Sequence, residues 1–238
     1  MEISHCTDSR ASLEVFMTHK HQCWYYGSMD RFKKPQYHDQ EPHPALRNAI
    51  YLLACHYAHT PYFAELEPGL LTKTLDEINA ALEISDRLLD IVQASSLLAI
   101  YLYNNNRAVE GYRQAFSAVR LAVGLGLHQL HPIGDLPVSA CHQLNTFVPI
   151  AAPQDDMEMT DRIFAFWQVF VVDRCWSVFH GLPLAFPEKD DPQFQITTPW
   201  PVAPGSSVWA SDPYLEWPII LTLYTNRTIT GHQALLKY

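Results

Sequence analysis

From residue 43 onward the apolar positions fall into helical spacing. Pro44 suits a first helical turn, and Leu46, Ala49, Ile50, Leu53 and Tyr57 follow at intervals of three and four. Pro61 is expected to stop that helix. A second helix is predicted over about 70–84, with Leu71, Leu75, Ile78 and Leu82 on one stripe. Ser85 or Asp86 is placed to cap a third. That third segment carries Leu88, Ile91, Val92, Ser95, Leu98, Ala99 and Leu102 on one face, while Leu97, Ile100 and Tyr101 make the other side apolar too. A helix that is apolar on most sides is buried among others.

Asn104-Asn105-Asn106 reads as a tight polar turn. Beyond it, 107–123 has a large face (Val109, Tyr112, Phe116, Val119, Val123) and a small one. Gly111, Ala115, Ala118 and Ala122 on the small face admit a close neighbour, and Gly124 and Gly126 end the segment. Residues 87–123 are thus predicted to form an antiparallel αα-hairpin. A loop with four prolines covers 128–157. An aromatic-rich helix is expected over about 160–180 (Phe164, Phe166, Trp167, Phe170, Trp176, Phe179), with Gly181 just past its end. Eight prolines between 183 and 218 predict an extended strap. Asp212-Pro213 looks like the cap and first turn of a sixth helix running to Tyr238.

The fold class expected is therefore all-α: an irregular multi-helix domain over 43–238, preceded by a loosely specified lead-in over 1–42, where no clean period is visible. The sixth helix has no capping signal at its end, so the domain is expected to continue past Tyr238. No repeat of fixed period is evident, which argues against a solenoid.

Composition narrows the function. Of 238 residues, 48% are hydrophobic and 17% charged, which excludes disorder over most of the length. Net charge is −9 with neutral histidines. The first 120 residues hold 11 basic and 14 acidic side chains, the remainder 5 and 11, and no Lys or Arg lies between Arg120 and Arg162. Phosphate tracking needs clustered cations, so direct nucleic-acid binding by these residues is not expected. Five widely spaced cysteines without a C-x-x-C pair fit reduced, buried thiols in an intracellular protein. No secretory signal is visible at the N-terminus. The apolar stretches at 91–106 and 163–172 are too short or too polar to span a bilayer.

Catalytic signatures are absent: no G-x-S-x-G, H-E-x-x-H, Walker loop or dinucleotide fingerprint occurs. Three groupings invite a metal reading, namely His19/His21/Cys23, Cys55/His59 and His128/His131. A structural zinc site wants four converging ligands, so ordinary polar roles are preferred for all three. The acidic run Asp155, Asp156, Glu158, Asp161 precedes the aromatic helix. It could hold magnesium, but the expected third carboxylate position is Met159, and the acids are better read as complements to a helix N-terminus. Asp173 stands among Phe170, Val171, Val172 and Trp176, where a carboxylate needs a partner or a raised pKa. Arg120 is the partner expected. The aromatic and acidic segment 209–217 resembles an activation segment in composition, although its Asp-Pro helix start favours inward packing.

Two blocks carry a more specific signal. The first spans Val92-Gln93-Ala94, Leu97-Leu98-Ala99-Ile100-Tyr101, Ala118-Val119-Arg120-Leu121-Ala122 and Leu125-Gly126-Leu127-His128. The second spans Arg162, Phe164, Trp167, Phe170 and Asp173-Arg174, then Gly181-Leu182-Pro183, Asp190-Asp191 and Pro199. In order and spacing they resemble the middle homology region of fungal zinc-cluster transcription factors, over roughly 44–201.

That resemblance implies an all-α regulatory domain of a nuclear protein that modulates RNA polymerase II transcription without covalent chemistry. It implies structural roles for Arg120, Gly126, Leu127, His128, Arg162, Trp167, Asp173, Arg174, Gly181 and Pro183, with no catalytic, cofactor or metal residues. Partners implied are proteins of the transcription machinery or another subunit, and a small-molecule effector; no membrane is involved. Zinc and DNA binding would belong to a six-cysteine module that Cys6, Cys23, Cys55, Cys141 and Cys175 cannot make. Two other readings compete: an all-α enzyme or small-molecule binder with a pocket among the third to fifth helices, and a DNA-free interaction protein that pairs with full-length regulators.

Overall fold

Thr60 and Pro61 begin a helix as well as ending one. The Thr60 hydroxyl accepts the backbone N–H of Phe63 at 3.4 Å, and Pro61 takes the first helical position, where its missing N–H costs nothing. The computed structural model describes residues 2–33, 41–130, 150–186 and 192–201. Among these are seven α-helices and no strand. They are α1 (Glu2–His19), α2 (Asp30–Lys33), α3 (Pro44–Ala58), α4 (Pro61–Ile84), α5 (Leu88–Asn104), α6 (Ala108–Gly124) and α7 (Asp156–His180), with short 3-10 turns at Lys20–Cys23, Leu127–Gln129 and Pro192–Phe194. The segment 209–217, the helix expected from 212, Asp190-Asp191 and residues 131–149 lie outside the described residues.

The all-α fold class holds, and α5 and α6 form the expected hairpin. At their turn Asn106 takes a left-handed conformation, φ 58°, and Arg107 N–H closes onto the Leu102 carbonyl at 2.9 Å. α5 divides the core in two. Ile91, Ala94, Leu98 and Leu102 pack with α1, α3 and α4, whereas Leu88 and Val92 pack with α6 and α7. Each fully buried aliphatic side chain here contributes about 1.5–3 kcal/mol. The small face of α6 does what its residues suggest: Gly111, Ala115, Ala118 and Ala122 are buried, and the Tyr103 ring of α5 lies against Gly111.

Three boundaries differ from expectation. α4 begins nine residues before the predicted 70, because Thr60 and Pro61 nucleate it and Pro68 is accommodated inside it. Its first turns bury little, with Tyr62 54% exposed, so no apolar stripe announced them. The third helix starts with Arg87 at its N-cap, in a left-handed conformation; neither Ser85 nor Asp86 caps it. The lead-in over 1–42 is not loosely specified where it is described. It holds α1, and Phe16, Cys23, Tyr25 and Met29 are buried in the main core. Those residues are spread over a helix, a 3-10 turn and an irregular segment, so no single period connects them.

Candidate functional site

The N-terminal end of α7 is built by its own acidic run. Asp155 is the N-cap and accepts the Glu158 N–H at 2.8 Å; Glu158 in turn accepts the Gln154 N–H at 2.8 Å. One turn on, Arg162 donates to Glu158 at 2.6 Å and to the Ala151 carbonyl at 2.7 Å. The run therefore satisfies orphan amides at the positive end of a helix. Among the described residues no group of three or more His, Cys, Asp or Glu is arranged to hold a metal ion.

Asp161 faces the segment between α1 and α2 and accepts the Ser28 N–H at 2.9 Å. Next to it, Arg31 donates both terminal nitrogens to the two Asp90 oxygens, each at 2.9 Å, and Asp90 also accepts the His43 N–H at 2.8 Å. Asp90 is 2% exposed, so this bidentate pair is what makes a carboxylate tolerable in an otherwise apolar helix. Between α7, the α4–α5 turn and the 28–31 segment lies a cavity of about 410 Å³. Leu88, Leu89, Leu125, Ile150 and Met157 supply its apolar surface, and Arg31, Asp161 and Arg162 reach it from the charged side. Burial pushes the Asp161 carboxyl above its ordinary pKa, with the Ser28 amide and nearby Arg31 opposing. Asp90 and Arg31 carried no sequence signal of their own; only the contact between residues 59 apart exposes their role.

The two sequence blocks meet through an irregular segment at 193–200. Gly126 adopts φ 73° and turns the chain out of α6, which sends Leu127 and His128 inward. The His128 carbonyl accepts the N–H groups of Thr197 and Thr198 at 3.0 and 3.2 Å, and its Nε2 donates to the Gln193 carbonyl at 2.8 Å. The Thr198 hydroxyl donates to the Leu127 carbonyl at 2.6 Å. From the second block, Trp167 Nε1 donates to the Pro199 carbonyl at 2.8 Å, and the indole stacks on Trp200. The described part of the strap has no α-helix, as its prolines predicted, but it contains the 3-10 turn at Pro192–Phe194.

Asp173 does not pair with Arg120. Its two oxygens accept the backbone N–H groups of Ala185 and Phe186 at 2.9 and 3.0 Å, and burial raises its pKa against that stabilisation. Arg120 is exposed on α6, its guanidinium over the Phe116 ring at 5.3 Å. The partner of Asp173 is main chain twelve residues downstream, which no pattern of side chains can reveal. Arg174 lies over the Phe170 ring at 4.8 Å. Gly181 ends α7 in a left-handed conformation, and the Pro183 carbonyl accepts from the Ser177 hydroxyl at 3.4 Å.

His19 and Cys23, of the first histidine and cysteine grouping, both contact Tyr57 of α3. Cys23 lies 3.3 Å from the Tyr57 hydroxyl, and burial pushes its thiol up to about 12. His19 stacks on Tyr57, while His56 stands 3.9 Å from Glu67 across α3 and α4. His131 lies outside the described residues. Among the described residues no helix is long and apolar enough to cross a membrane.

The profile of the fungal specific transcription factor domain matches residues 13–204. No curated protein and no solved structure matches the chain. The match begins inside α1 and runs through the segment that joins the two blocks, so it takes in His128, Trp167, Asp173 and Thr198. The chain belongs to the fungal-specific transcription factor domain family.

Proposed function

We propose that this chain is the regulatory domain of a nuclear fungal transcription factor and modulates RNA polymerase II transcription through non-covalent contacts. The observation that supports this most directly is the family match over 13–204. The disposition of the motif residues agrees with it: Leu127, His128, Trp167 and Asp173 hold the chain after α7 in place. Its partners are proteins of the transcription machinery or a second regulatory subunit. DNA binding and zinc belong to a zinc-cluster module outside these residues; the net charge of −9 favours contact with proteins over contact with phosphates.

A reporter assay tests the reading. The chain is fused to a heterologous DNA-binding domain, and output is compared with that domain alone at equal nuclear abundance. A change in output, in either direction, is expected. Unchanged output would overturn the assignment.

A further inference from the structure

The cavity at the N-terminal end of α7 has an uneven charge balance. Asp90 is matched by Arg31 in a two-bond pair, and Glu158 by Arg162. Arg87, at the mouth, donates to Asp86 and to the Glu41 carbonyl. Asp155 is engaged at the helix start, where the N–H of Glu158 and the positive end of α7 meet it. Among the described residues Asp161, like Asp155, has only a backbone amide, here from Ser28, and no cation within ion-pair distance; unlike the exposed Asp155 it is half-buried, and the nearby Arg31 is engaged by Asp90. Its desolvation raises the cost of its charge, which a bound cation would offset. Beside it the cavity offers Leu88 and Leu125, both buried, together with Leu89 and Ile150. A volume of about 410 Å³ is within the range of small-molecule sites, which combine an apolar lining with a few placed polar groups.

We infer that this cavity binds a small organic ammonium compound, with its cationic nitrogen on the Asp161 carboxylate and its apolar body against Leu88, Leu89, Leu125 and Ile150. A carboxylate of the same size is disfavoured, because it would sit against the Asp161 carboxylate, and the terminal nitrogens of Arg31 are already paired with Asp90. The ligand touches the 28–31 segment, the α4–α5 turn and the start of α7 together, so binding would stiffen the junction of three elements distant in sequence.

Isothermal titration calorimetry on the purified full chain tests this with 2-phenylethylamine and 3-phenylpropionate, which have similar bodies and opposite charge. Saturable one-to-one binding of the amine and none of the acid is expected. Asp161→Asn, which can still accept from Ser28, should weaken amine binding by at least about tenfold. Asp76→Asn, an exposed carboxylate on α4, should leave it unchanged. Circular dichroism melting of both variants establishes that they are folded. Acid binding as tight as amine binding, equal amine affinity in the folded Asp161→Asn variant, or no binding of either compound would each overturn the inference. The reporter fusion carries no added ligand, so the regulatory reading can stand where this one fails.

Discussion

Trp167 and Trp200 stack with ring centroids 4.1 Å apart and planes inclined by 12°. With the bond from Trp167 Nε1 to the Pro199 carbonyl, this joins the middle of α7 to an irregular segment of chain. Trp167 is 4% exposed and also meets Phe166 and Phe170 edge-on. Trp167→Ala should destabilise the chain by about 3–5 kcal/mol through the cavity it opens and the carbonyl it strands. Urea unfolding checks this, and a variant with an unchanged midpoint would contradict it.

Gly111→Ala tests the closeness of α5 and α6. In an unobstructed helix the change is stabilising, by roughly 1 kcal/mol. Here the added methyl would come within 2.9 to 3.0 Å of the Tyr103 ring, which stacks on Trp176 at 4.6 Å and so has little room to retreat. A net loss of about 1–3 kcal/mol is expected, with a lower melting temperature as the readout.

Arg31→Met would leave Asp90, 2% exposed, with only the His43 amide. Removing one partner of a buried ion pair costs about 3–5 kcal/mol, and the lower end applies because Arg31 keeps 24% of its side-chain surface. Equilibrium unfolding measures the loss. The double variant Arg31→Met, Asp90→Leu should recover much of it, since no charge is then stranded.

Asp161 makes stability depend on pH in a stated direction. Its folded pKa is raised, so its contribution is fully present below the ordinary carboxylate value of 3.8 and is lost as pH rises through the folded value. Asp161→Asn lacks this dependence. The variant's stability relative to the parent should therefore increase between pH 4 and pH 7, as followed by denaturant titration at both values. A relative stability that fell over this interval would reverse the sign.

His128 acts oppositely. Burial lowers its pKa from 6.5, against the bond to the Gln193 carbonyl, so the stability it contributes is present above 6.5 and is lost as pH falls through the folded value. Protonation of the ring, tracked by proton NMR, should begin at a lower pH in the folded chain than in the unfolded one.

Much of the helical frame was legible in the pattern of apolar residues. The α5–α6 hairpin showed itself because Gly111, Ala115 and Ala118 recur at helical spacing and three asparagines interrupt the run. α7 did so through its aromatics and Gly181. The site was far less legible. Arg31 and Asp90 pair across 59 residues, Ser28 and Asp161 across 133, and such pairings leave no mark on local periodicity. Asp173 was singled out correctly as a carboxylate in need of a partner, yet the partner proved to be the amides of Ala185 and Phe186 and not the side chain of Arg120. α1 escaped notice because Phe16 and Ser12 are its only buried side chains among residues 10–19.

The long reach between Ser28 and Asp161 sets a timetable for synthesis. Ribosomes add about 5–20 residues per second, so the segment carrying Ser28 emerges roughly 7–27 seconds before its acceptor exists. The Gln168 side chain that closes on the Cys23 carbonyl arrives later still. During that interval Tyr25 and Met29, both destined for the interior, have only early-made helices to rest against. The nascent chain thus carries Tyr25 and Met29 outside a completed core until α7 leaves the exit tunnel.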